Sequence, residues 1–231
     1  MAILLNEARP ELYNAHLLDY STGTVGPDVT YFSSDVSLFF VKFNTKAALR
    51  TVYMKFEFSG NDEFDTVRSI SDFTAMLMQS ADFKLPDGFC YHCMLTKAGK
   101  PIRITDNIYT ADFTFLGYRH LPEKKKVFSS SGYLNVDGNY EASCVVSFRN
   151  SSSGGGFYIK NDRYFDLYYI GSFPQTTITI DGMNKKVYDA SGANAFSKIT
   201  MNVFPRLAPG KNKIDFVGVT DFTISYLPIY V

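Results

Sequence analysis

The residues best suited to chemistry in this sequence are Cys90-Tyr91-His92-Cys93, where two thiols and an imidazole lie close together. Cysteine pairs at this spacing begin many zinc sites, but a closed site needs four ligands, and only Cys144, His16 and His120 remain to supply a second pair. The motif also falls in a predicted strand, where residues three apart point to opposite faces. We therefore predict ordinary strand positions, and neither a metal site nor a redox pair.

No other group of residues forms a recognisable reactive constellation. The three histidines are scattered, no Gly-x-Ser-x-Gly elbow is present, and Gly154-Gly155-Gly156 lacks the Lys and Ser/Thr of a phosphate-binding loop. Carboxylates are numerous, but pairing two as general acid and base requires a fold to place them. The sequence thus predicts no catalytic residue, no cofactor, no metal ligand and no enzymatic activity.

The charge pattern gives little reason to expect a nucleic-acid or lipid partner. Lys plus Arg and Asp plus Glu both number 23, so no global field would hold the chain on a polyanion. The run Lys124-Lys125-Lys126 could bind phosphate, but Glu123 stands beside it and no arginine or aromatic residue is interleaved. A solvated linker is the favoured interpretation, and we predict no nucleic-acid partner and no membrane partner.

The composition favours β-sheet. The chain has 231 residues, with 21 Phe, 16 Tyr and no Trp, and Phe and Tyr fit a pleated, half-buried surface better than a helix. Its longest apolar run, Leu38-Phe39-Phe40-Val41, is far shorter than the roughly 20 residues that cross a bilayer. The first residues lack the basic region and the full apolar region that we would expect of a secretory signal. Three cysteines do not make a disulfide framework, which fits folding in a reducing cytoplasm.

The first half of the chain predicts a small α+β unit. Apolar and polar residues alternate from Val52 to Phe58 and from Tyr109 to Phe115, the period of a strand with one wet face, and a further strand is expected from Phe89 to Thr96. Asp62 is a suitable N-cap for the one helix that we predict. Its apolar residues, expected to face the core, are Phe64, Val67, Ile70, Phe73, Thr74, Leu77 and Met78.

One segment of this half has no regular pattern. From Leu17 to Asp35 the chain is rich in Ser, Thr, Gly and Asp, which predicts a long loop or an extended hairpin. A segment of this kind inside a compact domain is usually functional or reaches another chain.

A proline and a charge run between His120 and Lys126 mark the predicted domain boundary, which gives an N-terminal α+β domain at 1–121 and a C-terminal domain at 122–231. Short β-like runs separated by turns predict a β-sandwich for the second domain. These runs are Tyr140–Phe148, Phe157–Lys160, Arg163–Ile170, Thr177–Asp181, Lys198–Phe204, Lys213–Val217 and Phe222–Leu227. Ser151–Gly156 is expected to be a flexible loop.

Two phrases in the last third of the chain form a distinctive ordered string. The first is Thr177-Ile178-Thr179-Ile180-Asp181-Gly182, and the second runs from Phe204 to Ile214. In the second, Pro209-Gly210 predicts a tight turn with Leu207 and Ile214 as flanking core residues, while Lys211, Asn212 and Lys213 are expected to keep the turn solvated. The structural positions of the string are Ile178, Ile180, Asp181, Gly182, Phe204, Pro205, Leu207, Pro209, Gly210, Asn212 and Ile214.

This string resembles the C-terminal half of the distal tail protein family of long-tailed, non-contractile phages, the Dit-like siphophage tail components. The first half of the chain is similar to the family's N-terminal domain in the order of its elements: the strand Val52–Phe58, the helix around Val67–Phe73 and the closing strand Tyr109–Phe115. The resemblance implies a mainly β protein, with an N-terminal α+β domain followed by a galectin-like β-sandwich.

The resemblance also implies a structural role in the virion. Members of the family form a hexameric ring below the tail tube, built mainly by the N-terminal domains, and their C-terminal sandwiches hold baseplate or receptor-binding components. The implied partners are therefore other copies of the chain, the tail tube, the tail-tip hub and receptor-binding proteins. The implied location is the virion tail, after folding and assembly in the host cytoplasm.

Other interpretations stay open at this point. A carbohydrate-binding β-sandwich is one, although the absence of Trp, a common sugar platform, disfavours it. Another tail-fibre or baseplate module, forming trimers or dimers, is a second. An enzyme acting on the host cell wall is a third, disfavoured because no acid/base pair or metal site can be named.

Overall fold

The computed structural model describes residues 5, 8–24, 27–33, 40–47, 49–78, 81–151, 155–169 and 176–231, and for 27–33 and 40–47 it describes the backbone alone. The chain divides into two compact units, residues 1–120 and 121–230. Each unit has its own buried hydrophobic core. The protein is mainly β, with an α+β unit followed by a β-sandwich unit.

The N-terminal unit is an antiparallel sheet with one helix. The sheet order is β1-β4-β8-β6-β5, β7 also pairs with β8, and β2 pairs with β3 in a separate two-stranded ribbon. Its elements are a 3-10 helix Pro10–Tyr13, β1 Ala15–Thr22, β2 Pro27–Ser33, β3 Phe40–Ala47, β4 Arg50–Ser59, α1 Glu63–Leu77, β5 Ala81–Lys84, β6 Cys90–Ala98, β7 Ile102–Thr105 and β8 Ile108–His120. The strands predicted from alternation are confirmed.

The helix begins where the sequence predicts. The side chain of Asp62 accepts a hydrogen bond from the backbone N–H of Asp65 at 2.8 Å, which caps the first turn. Glu63 and Asp65 place negative charge where the helix dipole favours it.

The helix covers the sheet through one aromatic side chain. Phe73 is fully buried, and its ring meets those of Phe56, Phe58 and Phe113 at centroid distances of 4.9, 5.4 and 5.5 Å, all edge to face. Aromatic pairs in this geometry contribute beyond the area that they bury. Phe73 therefore joins α1 to the two central strands, β4 and β8.

The predicted core face of the helix is partly wrong. Phe64 is 76% exposed, and Val67 and Met78 are also exposed. The buried helical residues are Thr66, Ile70, Phe73 and Leu77. The apolar residues of α1 therefore lie on two faces of the helix, of which only one meets the sheet. Thr66 is buried although polar because its hydroxyl donates to the carbonyls of Asp62 and Asn107.

The expected loop at Leu17–Asp35 is also partly wrong. Residues 17–22 belong to β1, which pairs with β4 along its length apart from a bulge near Leu18. Residues 27–33 form β2, which agrees with the extended-hairpin alternative. Positions 25, 26, 34 and 35 lie outside the described residues. The Ser and Thr content concealed the strands because these residues are common in both loops and sheet edges.

The C-terminal unit is a sandwich of two antiparallel sheets. One has the order β10-β18-β12-β13-β16, and the other has the order β15-β14-β11-β19-β9 with β17 also paired with β11. The strands of these sheets are β9 Lys124–Phe128, β10 Gly132–Val136, β11 Ala142–Asn150, β12 Phe157–Asn161, β13 Asp166–Tyr169, β14 Thr177–Asp181, β15 Lys186–Asp189, β16 Thr200–Met201, β17 Arg206–Leu207, β18 Gly210–Val217 and β19 Val219–Tyr226. The unit also contains a 3-10 helix at Phe196–Lys198 and the short strand β20 Ile229–Tyr230, which belongs to neither sheet.

Both sheets contribute to one core. Phe148 of β11 meets Phe157 of β12 at 4.7 Å between ring centroids, and Phe216 of β18 meets Phe222 of β19 at the same distance.

The run predicted at Lys198–Phe204 is a strand only at Thr200–Met201. Ile170 of the run predicted at Arg163–Ile170 lies outside the described residues, and so do Ser152, Ser153 and Gly154 of the predicted flexible loop.

The solvated-linker interpretation of Lys124–Lys126 is wrong. These residues form most of β9, which pairs with β19 in a register that sets Lys124 opposite Tyr226 and Lys126 opposite Ile224. β9 is the last strand of its sheet, so one side of its backbone has no neighbouring strand in the described chain. The lysines are exposed, and Lys124 forms an ion pair with Asp137.

Replacing each of the two helical phenylalanines by alanine should show which face of α1 is buried, because the two changes should have different effects on the free energy of unfolding. We expect Phe73→Ala to lower the free energy of unfolding by about 3–5 kcal/mol, because it leaves a cavity among three aromatic rings. Phe64→Ala should change it by less than about 0.5 kcal/mol. Chemical denaturation followed by circular dichroism measures both, and equal effects would contradict the assigned packing.

Candidate functional site

The cysteine motif lies in β6, as predicted, and its two thiols differ in environment. Cys90 is partly exposed, whereas Cys93 is buried and burial raises its pKa to about 12. A thiol with such a pKa is protonated at neutral pH and is a poor nucleophile or metal ligand. His92 is exposed and its Nδ1 lies 2.5 Å from Oδ1 of Asp82. The register sets Cys90 opposite His120, a proximity that the sequence pattern did not reveal.

The remaining candidates for chemistry are dispersed. His16 lies in β1 and Cys144 is buried in the other unit, where burial raises its pKa. Within the described ranges, no group of three or more His, Cys, Asp or Glu side chains is placed to hold a metal ion. Among those same residues, no helix is long and apolar enough to cross a membrane.

The two phrases of the C-terminal string meet at β11. β14 and β17 both pair with this strand, and Gly182 lies where β14 ends. The N–H of Gly182 donates to the carbonyl of Cys144 at 2.9 Å, and the N–H of Cys144 donates to the carbonyl of Pro205 at 3.1 Å. A Cβ at position 182 would lie 2.1 Å from that Pro205 oxygen. Only glycine allows the two phrases to approach this closely.

Asn212 is buried, so the expected solvation of the turn is wrong at this position. Its side-chain amide donates to the carbonyls of Ala208 and Gly210 at 2.7 and 2.9 Å, and its Oδ1 accepts from the N–H of Ala208 at 3.1 Å. Asn161 also lies within 3.4 Å of Oδ1. Gly210 has a φ of 79°, which suits glycine. Asn212 thus holds the Pro209-Gly210 turn from inside, because a buried amide must find partners.

Asp181 organises the turn that follows β14. Its Oδ1 accepts from the N–H groups of Met183 and Asn184, both at 2.9 Å, and its Oδ2 accepts from the side chain of Asn184 at 2.8 Å. Burial opposes ionisation, but the hydrogen bonds from Asn184 and Met183 and the charge of Lys186 outweigh it and lower the pKa of Asp181.

The other residues of the string lie in or beside the core. Ile178, Ile180, Leu207 and Ile214 are fully buried, Pro205 is buried, and Phe204 packs against the core at its margin. The string therefore forms a structural crossing of strands and not a reactive site. Sequence reasoning placed its apolar residues correctly but missed the inward orientation of Asn212, since asparagine in a turn is more often solvated.

The surfaces with the character of an assembly site are strand edges. β4 and β8 pair with each other at the centre of the sheet. In the described part of the chain, β1 pairs only with β4 on one side of this central pair, and β7 pairs only with β8 on the other side. Each of these two outer strands therefore has one unpaired edge. β1 contains no Lys or Arg and exposes Leu18, which is 50% exposed. β7 exposes Ile102 and Ile104. Such edges offer backbone donors and acceptors to another chain.

The edge of the C-terminal sheet at β9 has the opposite character. Lys124 and Lys126 stand opposite the buried residues Tyr226 and Ile224, so they point toward the core side of the sheet at its edge. An added strand would bury these charges, which is unfavourable. The lysines therefore disfavour sheet extension at β9. β1 carries no Lys or Arg, and its edge features are the bulge near Leu18 and the charge of Asp19.

A second exposed feature of the N-terminal unit is a stripe on α1, which we call the apolar stripe: Phe64, Val67, Ala75 and Met78, with the polar Ser71 at its centre. These residues lie at helical spacing on one side of α1 and are all exposed. The stripe begins close to β7, because Glu63 lies 4.0 Å from Arg103 and accepts a hydrogen bond from Tyr109. Exposed apolar side chains grouped on one helix face are typical of a protein interface.

Comparison with known proteins shows the class of fold. No protein-family model matches the sequence, and no curated protein is significantly similar to it. Among solved structures, the chain shares the fold of phage tail hub and baseplate proteins. The resemblance inferred from the sequence is therefore confirmed for the fold.

Three solved structures of phage proteins contain chains with this fold. The chain is similar to the SPP1 Dit protein, described as a paradigm of the hub adsorption apparatus in Gram-positive infecting phages, with a TM-score of 0.77, 10% identity and coverage of 100% of this chain and 99% of that one. It is also similar to a chain of the phage P2 baseplate in its activated conformation, with Ca (TM-score 0.57, 8% identity) and with Sr (TM-score 0.55, 11% identity). Each of these two matches covers 93% of this chain and 90% of the other.

The close approach at Gly182 can be tested by adding a methyl group. We expect Gly182→Ala to lower the free energy of unfolding by about 2–3 kcal/mol, because the new Cβ meets backbone oxygens that cannot move independently. Gly132→Ala is the matched control. Its Cβ would lie 3.8 Å from the nearest atom, so it should be neutral or stabilise by about 0.5 kcal/mol. Thermal or urea unfolding of both variants measures the difference.

The role of Asn212 can be tested by removing its amide. Asn212→Ala removes the partners of the backbone groups of buried Ala208 and half-buried Gly210, and it should lower the free energy of unfolding by about 2–4 kcal/mol. Asn135→Ala, at an exposed strand position, should change it by less than about 0.5 kcal/mol. A loss below 1 kcal/mol for Asn212→Ala, measured by urea unfolding, would show that the amide is not what holds the turn.

Proposed function

We propose that this protein is a structural component of a phage tail, a distal tail adaptor whose copies form a hexameric ring and join the tail tube to baseplate or receptor-binding components. The observation that carries the proposal is the likeness to the SPP1 Dit protein, which extends over the whole of this chain and nearly the whole of that one. A match over both units favours a shared architecture of assembly and not the reuse of one domain.

The N-terminal unit is the proposed ring-forming part. β1 and β7 lie at opposite edges of one sheet, joined through β4 and β8. A copy that places its β1 edge against the β7 edge of its neighbour makes a head-to-tail contact, and such contacts close into a ring when the rotation per copy allows it. Backbone pairing between edges supplies directional bonds. The apolar stripe on α1, beside β7, adds burial to the same contact.

The C-terminal unit is the proposed partner-holding part, a galectin-like sandwich. Its β9 edge is blocked by lysines, so this edge does not extend the ring sheet. Its loops and exposed side chains are available to the tail-tip hub or to receptor-binding proteins. The six-fold repetition of a modest contact gives high total affinity for a symmetric partner. Binding, and not catalysis, is the activity of this protein, and its place is the virion tail.

The stoichiometry of the purified full chain tests the proposal. Native mass spectrometry should show six copies, and negative-stain images should show rings with six-fold symmetry and a central channel. Three copies would instead support a tail-fibre module. The adaptor role would be contradicted if the protein stayed monomeric at high concentration and also formed no rings with purified tail tube protein.

Charged substitutions at the strand edges should dissociate the ring selectively. We expect Leu18→Lys in β1 or Ile104→Lys in β7 to raise the concentration needed for assembly at least tenfold, because each places a charge in the proposed contact. Val127→Lys in β9, where the side chain is 64% exposed, is the matched control and should assemble normally. Light scattering after size-exclusion chromatography measures assembly, and circular dichroism confirms that the variants fold. Loss of the ring in the β9 variant alone would contradict the proposed contact.

A further inference from the structure

A cavity of about 360 Å³ opens beside the β14–β15 hairpin of the C-terminal unit. Its wall comes from two segments: β15 with the turn before it, and the loop between β15 and the 3-10 helix at Phe196–Lys198. Its lining includes Lys185, Lys186, Tyr188, Asn194 and Phe196. The volume is within the range of small-ligand pockets. None of these residues belongs to the strand edges proposed for assembly.

The loop wall is held in place by its own hydrogen bonds. Asp189 Oδ1 accepts from the N–H and the hydroxyl of Ser191 at 3.0 and 2.6 Å and from the N–H of Ala193 at 3.1 Å. The N–H of Gly192, whose φ is 80°, donates to the Asp189 carbonyl at 2.9 Å. The N–H of Ala195 donates to the carbonyl of Val187 at 3.0 Å, which ties the loop to β15. The cavity is therefore formed before any ligand arrives, which reduces the entropy lost on binding.

The acidic groups near the cavity are already engaged. Asp189 accepts the bonds just described, which lower its pKa, and the carboxylate of Asp181 is occupied by Asn184 and Met183. These carboxylates are therefore poorly placed to accept bonds from a ligand.

Two of the three nitrogen-bearing side chains that line the cavity, those of Lys186 and Asn194, are available as donors. Lys185 is committed, because its Nζ donates to the carbonyl of Gly182 at 2.5 Å and lies 5.3 Å from the centre of the Phe204 ring. Lys186 is exposed and forms no ion pair within 4.0 Å in the described chain. Asn194 uses its Oδ1 to accept from the N–H of Phe196 at 2.9 Å, which leaves its amide N–H groups for a ligand.

Aromatic surface completes the lining. Phe196 is 49% exposed although it is a large apolar side chain, and Tyr188 is half-buried. The ring of Phe196 is steadied by Phe204, at a centroid distance of 6.1 Å. Phe196 offers an apolar platform, and Tyr188 adds a hydroxyl to its apolar body. A ligand that suits this wall has a flat apolar face and acceptor groups at its rim.

We propose that this cavity binds an acidic saccharide, a sugar ring that carries a phosphate or carboxylate group. The C–H face of the ring stacks on Phe196, the ring hydroxyls accept from the amide of Asn194, and the anionic group pairs with Lys186. A positively charged donor beside an anion strengthens the hydrogen bond. This inference does not depend on the assembly role, because the cavity lies within one C-terminal unit.

Ligand-detected NMR on the full chain tests the proposal. Saturation transfer should be seen to glucose 6-phosphate, with a dissociation constant in the millimolar range, and more weakly to glucose. Inorganic phosphate, followed by phosphorus line broadening, should bind at least tenfold more weakly than the sugar phosphate. Phosphate binding as tight as that of the sugar phosphate would overturn the saccharide assignment, as would an absence of transfer to glucose 6-phosphate.

Two variants with matched controls locate the site. Phe196→Ala should weaken glucose 6-phosphate binding at least tenfold, and Lys186→Gln should abolish the preference for glucose 6-phosphate over glucose. Tyr158→Ala and Lys125→Gln change exposed residues in other strands and should leave binding unchanged. Both site residues are exposed, so the variants should fold, and melting curves check this. Unchanged binding by folded Phe196→Ala would overturn the proposal.

Discussion

The structure depends on one constraint: every β-sheet ends in a row of backbone groups that must find partners in water, in its own chain or in another chain. The chain meets this constraint in two ways. At β9, lysines that point toward the core side make an added strand costly. β1 and β7 contain no lysine and expose Leu18, Ile102 and Ile104, and each is paired on one side in the described part of the chain, although Arg103 and Asp19 place a charge on each strand. In the proposed assembly, the open edges belong to the unit that joins copies and the blocked β9 edge belongs to the unit that holds other proteins.

The distinctive string of the C-terminal unit also has a backbone explanation. Gly182 allows the end of β14 to approach Cys144 and Pro205 closely. Asn212 supplies hydrogen-bond partners to backbone groups of the Pro209-Gly210 turn. Both residues act by hydrogen bonding and close approach, and neither is placed for chemistry. A pattern can thus be a strong signature of a fold while giving no information about a reactive site. The function must then be sought on the surface.

The parts of the fold that the sequence predicted are those governed by local periodicity. The alternation in Val52–Phe58 and Tyr109–Phe115 and the cap at Asp62 led directly to β4, β8 and the start of α1. The parts that it missed depend on distant partners. Phe64 is exposed because the sheet meets only one of two apolar helix faces, and Lys124–Lys126 is a strand because β19 pairs with it. No local pattern carries that information.

The same distinction applies to the candidate sites. The opposite faces of Cys90 and Cys93 follow from the period of a strand, so they could be foreseen. The burial of Asn212 and the cavity beside Phe196 arise from loops whose course is set by tertiary hydrogen bonds. They could be found only after the fold was known.

Hydrogen–deuterium exchange, compared between the assembled protein and a dissociated Leu18→Lys variant, tests the central claim most directly. The account predicts that the outward-facing amides of β1 exchange at least tenfold more slowly in the assembly, while the amides of β9 exchange equally in both states. Equal exchange of β1 in the two states, or protection of β9 on assembly, would contradict it.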